Sequence, residues 1–333
     1  MLPSTHTRAP RRWRRAAAAI AAGTSLALAG CGLATSNGFT PTEQLAGDVA
    51  DVDLQGLSTS VGSKNFTEQL ILGKIAVLLL KAAGAEVTDL TNIPGSDASR
   101  QAQEQGDIDL GWEYTGTAWT SYFAQTEIIE DEQEQYEAVR DLDAEENDLR
   151  WLPPAPMNNS YGFATTREVA ERLGIERLSQ LADIPPQERT FCVESEFANR
   201  EDGFEPMLET YDVPLGEGVD PGNVRTLQTG AIYAATANGD CNFGEVFTTD
   251  GRLLALDLVL LEDDAPFFPK YNVSLVVRGE VLDAYPQVED LFAGVTEQLD
   301  DETLIELNAR VDVDGERPVD VALDFLRDGG YLE

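Results

Sequence analysis

From residue 58 onward, short apolar runs typical of strands alternate with longer, helically spaced ones. The first predicted strand covers residues 59–62, and the helix after it has apolar positions at Leu70, Ile71, Ile75, Leu78 and Leu79. Asn65 and Glu68 resemble a capping box at the start of this helix. The pattern continues with a strand, a helix and a strand over 86–93, 96–105 and 107–112. This alternation indicates an α/β fold with a parallel sheet.

A second alternation of strands and helices begins after the breaker cluster Pro153, Pro154 and Pro156. Its predicted strands cover residues 161–165, 190–193, 223–227, 242–247 and 253–261. Pro266 and Pro269 mark a second break, which is followed by a strand and three helices over 271–277, 287–299, 303–311 and 319–327. We therefore expect two α/β lobes joined by two crossovers. The first lobe is discontinuous and covers 58–155 and 270–333, and the second covers 156–269.

The N-terminal segment has the layout of a secretory signal. Five arginines precede an apolar run over residues 16–29, which is too short to remain as a membrane-spanning helix. The run ends in the string LAGC (28–31), which resembles the lipobox of bacterial lipoproteins. We expect a signal peptide over 1–30, acylation of Cys31 and an extracytoplasmic protein anchored to the cell membrane by its lipid. The alternative is an ordinary signal peptide followed by a chance cysteine. Residues 31–57, rich in small and acidic residues, predict a flexible acidic stalk.

The net charge and the histidine content exclude several classes of partner, catalytic mechanism and metal site. The chain has 60 Asp and Glu against 23 Lys and Arg, a formal net charge of -37, so nucleic acid is not an expected partner. The single histidine is His6, inside the predicted signal peptide. The mature chain therefore lacks the imidazole needed for Ser-His-Asp or Cys-His catalysis and for the commonest metal sites. The acidic clusters do not follow the spacing of a calcium loop. We expect no metal, no cofactor and no enzymatic activity.

Two cysteines, Cys192 and Cys241, remain after the predicted lipidation site. Both lie near the starts of apolar segments predicted to be strands, and an oxidising compartment permits them to pair. We expect a disulfide within one lobe. The alternative is a pair of separate buried thiols.

Four groups of short strings resemble one known family. They are residues 62–69 (GSKNFTEQ), 112–117 (WEYTGT), 196–203 (EFANREDG), and a last group over 249–252 (TDGR), 261–264 (LEDD) and 269–271 (PKY). In this order and spacing they resemble the glycine betaine, choline and carnitine binding proteins of osmoprotectant ABC importers. The resemblance covers nearly everything after residue 58. It implies a two-lobed, type II periplasmic-binding-protein-like fold and a monomer that delivers a quaternary ammonium ligand to a membrane permease driven by a separate ATPase.

The same resemblance assigns an aromatic cage to Tyr114, Tyr161, Phe247 and Tyr271. Relatives usually have tyrosine at the position of Phe247, so this chain departs from the family there. A quaternary ammonium group donates no N–H hydrogen bond and is charged at every pH, and aromatic faces match its apolar, cationic shell. The family pattern therefore agrees with the chemistry of the expected ligand.

The resemblance also implies groups at the ligand's carboxylate end. These are Lys64, Thr117 and Arg200, of which Arg200 offers a planar fork suited to a carboxylate. Glu196 lies four residues before Arg200 and is expected to hold the lobes together or to position the arginine.

Three other functions remain open at this stage. An amino-acid or polyamine binding protein of the same fold would recognise a primary ammonium with carboxylates rather than rings. An exported hydrolase could use paired carboxylates, which 60 acidic residues readily supply. A purely structural acidic surface lipoprotein would bind no small ligand.

Overall fold

The structure, a computed structural model, describes residues 43–333. In this range, the strands are β1 (Ser58–Lys64), β2 (Glu86–Ile93), β3 (Leu110–Tyr114), β4 (Leu149–Trp151), β5 (Tyr161–Thr166), β6 (Phe191–Val193), β7 (Val224–Thr226), β8 (Phe243–Phe247), β9 (Leu258–Leu260) and β10 (Val273–Arg278). They form two five-stranded sheets in the orders β2-β1-β3-β10-β4 and β7-β6-β8-β5-β9.

Helices connect and cover the strands. Over the same residues, the α-helices are α1 (Thr67–Ala82), α2 (Ser96–Glu104), α3 (Thr115–Thr117), α4 (Glu132–Glu146), α5 (Arg167–Leu173), α6 (Phe204–Thr210), α7 (Thr229–Ala237), α8 (Arg252–Ala255), α9 (Gly279–Ala284), α10 (Gln287–Glu297), α11 (Asp301–Asp312) and α12 (Pro318–Asp328). A π-helical turn, Ala118–Tyr122, continues α3. Helix α1 is apolar on nearly every side and is buried in the first sheet's core between β1, β2, α11 and α12.

The two sheets have matching topologies. In the first, β1 runs parallel to β2 and β3, whereas β10 runs antiparallel to β3 and β4. In the second, β6 runs parallel to β7 and β8, whereas β5 runs antiparallel to β8 and β9. The predicted parallel arrangement is therefore confirmed for β1, β2 and β3 and recurs in β6, β7 and β8, whereas β5 and β10 run antiparallel to their neighbours. β5 and β10 are the strands that the chain enters from the other sheet, so no helical βαβ connection sets them parallel to their neighbours.

The predicted strand over 253–261 is wrong in its first half. Residues 252–255 form the short helix α8, and only Leu258–Leu260 are a strand. Leu254 is 78% exposed, so the apolar run that suggested a buried strand lies partly on the surface.

The N-terminal predictions fall largely outside the described residues. The signal peptide over 1–30, the lipidation site Cys31 and the first part of the stalk all lie there. From Leu45 onward the predicted flexible stalk is wrong, because this segment packs on the domain. The Ala46 N–H donates to the Tyr331 carbonyl, and Leu54 is fully buried. Between residues 43 and 333, no helix combines the length and apolar character needed to cross a membrane.

Cys192 and Cys241 are joined by a disulfide, with their Cα atoms 5.8 Å apart. Cys192 lies in β6, and Cys241 lies two residues before β8, which is hydrogen-bonded to β6. The bridge ties neighbouring elements of the second sheet.

Candidate ligand-binding site

A cavity of about 1080 Å³ is lined by residues from the elements of both sheets. Its walls include all of the side chains predicted to contact or position a ligand: Lys64, Tyr114, Thr117, Tyr161, Glu196, Arg200, Phe247 and Tyr271. The structure therefore gathers in one hollow residues that are up to 207 positions apart in the sequence.

Strand ends place the rings at this hollow. Tyr114 ends β3 and Phe247 ends β8, while Tyr161 begins β5. Tyr161 and Phe247 are direct partners in the antiparallel β5–β8 pair, so their side chains share one face of the sheet. Tyr271 lies in the second crossover, two residues before β10.

The rings form a continuous series. Tyr161 lies 5.4 Å from Phe247 and 5.6 Å from Tyr271 between ring centroids, and the second pair is nearly perpendicular at 87°. Tyr114 is connected to the others through Phe66, whose ring lies 6.1 Å from Tyr114 and 5.2 Å from Phe247. Phe66 was not among the residues predicted from the sequence. Its signal was its position in the GSKNFTEQ string, two residues after Lys64.

Two hydroxyl groups anchor the ends of this series. The Tyr114 hydroxyl donates to Glu68 Oε1 at 2.7 Å, and the Tyr271 hydroxyl donates to Asp202 Oδ2 at 2.5 Å. Burial, reinforced by the neighbouring carboxylates, raises the pKa of both tyrosines well above the ordinary value. The Tyr271 ring can pack against residue 116 only because this residue is glycine, since a Cβ there would lie 2.6 Å from the ring.

Lys64 is buried and paired within the protein. Its Nζ lies 2.8 Å from Glu113 Oε2 and 5.1 Å from the centroid of the Tyr114 ring. The predicted capping box beside it is wrong: Phe66 is the N-cap residue of α1 and Asn65 is outside the helix. The Glu68 side chain points into the protein interior instead of back to the helix start.

Arg200 is likewise engaged by a carboxylate of the chain. Its Nε and Nη2 donate to the two oxygens of Asp202, each at 2.6 Å, and its Cζ lies 5.4 Å from the centroid of Tyr161. Burial opposes ionisation of Asp202, but Arg200 and the hydroxyls of Tyr271 and Thr120 outweigh it and lower the pKa of Asp202 below the ordinary value. This carboxylate was not predicted from the sequence, although it lies in the EFANREDG string. The Nε and Nη2 edge of the guanidinium, which could bind a ligand carboxylate through two hydrogen bonds, is therefore occupied by Asp202.

Glu196 connects the two sides of the cavity. Its Oε1 lies 3.6 Å from Arg200 Nη1, and its Oε2 accepts a hydrogen bond from the backbone N–H of Ser96 at 3.2 Å. Ser96 is the first residue of α2, in the first sheet's half of the chain. Glu196 thus contacts both Arg200 and the first residue of α2.

Acidic groups line the second sheet's wall of the cavity. Glu245 is buried and accepts a hydrogen bond from the Glu194 backbone N–H at 2.6 Å. Burial raises the pKa of Glu245 to about 8. Across residues 43–333, no group of three or more His, Cys, Asp or Glu is arranged to hold a metal ion.

Residues 58–328 match the family described as the substrate binding domain of ABC-type glycine betaine transport systems. The chain belongs to this family. Its members are extracytoplasmic binding proteins of transporters, which take up a ligand and work with a membrane permease. The two sheets and their topology agree with the type II binding-protein fold of solved members.

Several relatives support the family assignment. The chain is 40% identical to the glycine-betaine-binding protein of Pseudomonas aeruginosa over 287 residues, 84% of this chain and 90% of that protein. It is 32% identical to the glycine betaine-binding protein YehZ of Escherichia coli over 82% of this chain and 91% of that protein. Among solved structures, a glycine betaine/carnitine/choline ABC transporter protein superposes with a TM-score of 0.66 at 26% identity, covering 81% of this chain and 97% of that one. Apo YehZ gives 0.61 at 31% identity, with coverage of 82% and 99%.

Proposed function

We propose that this family member binds a quaternary ammonium compound of the glycine betaine, choline or carnitine type in the ring-lined cavity and delivers it to an ABC permease. The observation that carries the proposal is the convergence of Phe66, Tyr114, Tyr161, Phe247 and Tyr271 on one cavity. Relatives named as binding glycine betaine and carnitine add support.

The rings supply the main attraction. Each aromatic face contributes about 0.5 to 2 kcal/mol to a cation, depending on desolvation. Five faces therefore contribute roughly 2.5 to 10 kcal/mol before ordering costs, which supports micromolar binding. Lys64, Arg200 and Arg252 line the cavity, and each is paired with a carboxylate of the chain. This pairing reduces the repulsion that these cations exert on the head group.

The carboxylate end of a betaine would be held by Lys64, Thr117 and Arg200. All three side chains line the cavity, and Arg200 lies beside a cage ring. With its Nε and Nη2 engaged by Asp202, Arg200 would approach the ligand mainly through Nη1. Glu196 would position that nitrogen.

The surrounding organisation completes the proposal. Two lobes, 58–155 with 270–333 and 156–269, would close on the ligand by a hinge movement in the two crossovers. The mature protein would be a monomer with its lipid on Cys31, and it would release its ligand chemically unchanged. The strand membership of the sheets supports these boundaries, since β5–β9 all lie within 156–269.

Calorimetric titration tests the proposal. Glycine betaine, choline and carnitine are titrated into the protein, with an amino-acid mixture and spermidine as alternatives. We expect micromolar binding of at least one quaternary ammonium compound, and a loss of about tenfold or more in the Tyr114→Ala variant. Tyr285→Ala, a half-buried tyrosine away from the cavity, is the control and keeps the wild-type affinity. Saturable binding of spermidine or amino acids alone would refute the proposal, as would a product formed from the ligand.

Arg200→Ala tests the carboxylate end in the same assay. The loss should be larger for glycine betaine than for choline, because choline has no carboxylate. An equal loss for both ligands would remove Arg200 from the anion site.

A further inference from the structure

A buried carboxylate near the cage belongs to Glu68, which is 2% exposed and is not part of the cavity wall. Four side-chain donors surround it. Its Oε1 accepts from the Tyr114 hydroxyl at 2.7 Å and from Asn159 Nδ2 at 2.9 Å. Its Oε2 accepts from the Thr249 hydroxyl at 2.6 Å and from Asn308 Nδ2 at 3.1 Å.

Three of these donors belong to segments that carry cage rings. Tyr114 is itself a cage ring, Asn159 lies two residues before Tyr161, and Thr249 lies two residues after Phe247. Tyr114 belongs to the first sheet, whereas Tyr161 and Phe247 belong to the second. One carboxylate is therefore hydrogen-bonded to ring-bearing segments from both sheets.

We infer that Glu68 is a positioning residue for the aromatic cage, which sets the placement of Tyr114, Tyr161 and Phe247 without contacting the ligand. The inference rests on the proposed function, because it concerns the same site. Rings held in place before binding lose less conformational freedom when the ligand arrives, and this raises affinity without adding a contact.

The donor set requires a carboxylate. An ionised carboxylate only accepts hydrogen bonds and offers about four lone-pair sites, which matches four donors. A glutamine of the same shape would turn an amide NH₂ toward donors, either Tyr114 and Asn159 or Thr249 and Asn308. Burial raises the pKa of Glu68, while hydrogen bonds from Thr249, Tyr114, Asn159 and Asn308 act in the opposite direction.

The first test compares Glu68→Gln with Asp143→Asn. Asp143 is also a fully buried acceptor, with hydrogen bonds from Arg100, Asn147 and Trp151, but it lies away from the cavity. Both variants lose stability. By calorimetry, Glu68→Gln should weaken glycine betaine binding by about tenfold, whereas Asp143→Asn should stay within about twofold of wild type. Equal effects of the two variants on affinity would overturn the inference.

A double-mutant cycle separates positioning from general support. Tyr114→Phe keeps the ring and removes the hydroxyl that donates to Glu68, and it is combined with Glu68→Gln. If Glu68 acts through this hydroxyl, the double variant binds no more than about twofold more weakly than Glu68→Gln alone. Fully additive losses would contradict the inference. Should Glu68→Gln fail to fold, Tyr114→Phe and Thr249→Val each remove one donor, and each should weaken binding by about two- to tenfold. Unchanged affinity in both would overturn it.

Hydrogen exchange of the ligand-free protein gives a readout that needs no ligand. Glu68→Gln should speed backbone exchange at residues 158–161 and 247–250 more than Asp143→Asn does. Equal exchange in the two variants would overturn the inference even if wild type binds ligand. If wild type binds none of the tested ligands, the proposed function fails, and the exchange data still decide whether Glu68 fixes these segments.

Discussion

Replacing Phe66 by leucine removes one aromatic face from the cavity and keeps most of the apolar volume. Phe66 connects Tyr114 to the other rings, with centroid distances of 6.1 Å to Tyr114 and 5.2 Å to Phe247. If it is a working face of the cage, its loss removes about 0.5 to 2 kcal/mol of attraction for a cation. That energy corresponds to a rise of about 2- to 30-fold in the dissociation constant.

The assay uses two ligands of the same shape and different charge. Choline and dimethylbutanol, its neutral carbon analogue, are titrated into wild type and Phe66→Leu. The substitution should weaken choline binding by the stated factor and change dimethylbutanol binding little, because the neutral ligand has no charge for the ring to attract. The control is Phe325→Leu, which changes a half-buried phenylalanine in α12, away from the cavity.

Two results would refute the reasoning. An equal loss for choline and its neutral analogue would mean that Phe66 acts by shape alone. A loss of the same size in Phe325→Leu would mean that the effect comes from a general change in the core.

Three further predictions concern stability and selectivity. Folded Glu245 has a pKa of about 8, so near neutral pH it keeps a proton that the unfolded chain releases. This proton contributes to the free energy of unfolding fully below the pKa of the unfolded chain, and the contribution is lost as pH rises through about 8. Between about pH 6 and 9, the melting temperature of wild type should therefore fall more than that of Glu245→Gln. Parallel profiles of melting temperature against pH would contradict this. Cys192 and Cys241 are 49 residues apart, so reduction should cost about 4 kcal/mol of unfolding free energy by loop entropy; denaturation curves that coincide with and without reductant would refute it. Asp202→Asn should raise the ratio of betaine to choline affinity, because it frees the Arg200 guanidinium to bind the betaine carboxylate. An unchanged ratio in calorimetry would show that this guanidinium does not contact the ligand.

The residues predicted for the site all line one cavity, and most of them, such as Lys64, Arg200 and Tyr271, lie in the local strings. Tyr114, Tyr161 and Phe247 fall at strand ends, and strand ends of an α/β sheet are where ligands bind. The strand-helix alternation also predicted most elements of both sheets. The antiparallel direction of β5 and β10 was not predictable from it, because that direction depends on which sheet the chain comes from.

Some residues could not be predicted because their contacts are with residues distant in the sequence. Glu68 matched a capping pattern, but its donors lie 46 to 240 positions further along the chain. The packing of Leu54 was missed for the same reason, since the segment around it is held by Ala83 and Tyr331, far along the chain. A pattern of small and acidic residues indicates flexibility only when no distant partner covers its few apolar side chains.

The pairing of the two predicted anion-binding cations determines how this site can discriminate among ligands. An unpaired cation as buried as Lys64 or Arg200 would carry a large desolvation cost in the empty protein, and Glu113 and Asp202 offset that cost. The same pairing weakens the pull that either cation exerts on a ligand carboxylate, since that carboxylate must compete with one already in place. At the rings, the head group competes only weakly, because Lys64 near Tyr114 and Arg200 near Tyr161 are already held by carboxylates. Affinity should therefore depend mainly on the rings, while the carboxylate adjusts the preference among ligands that share the same head group.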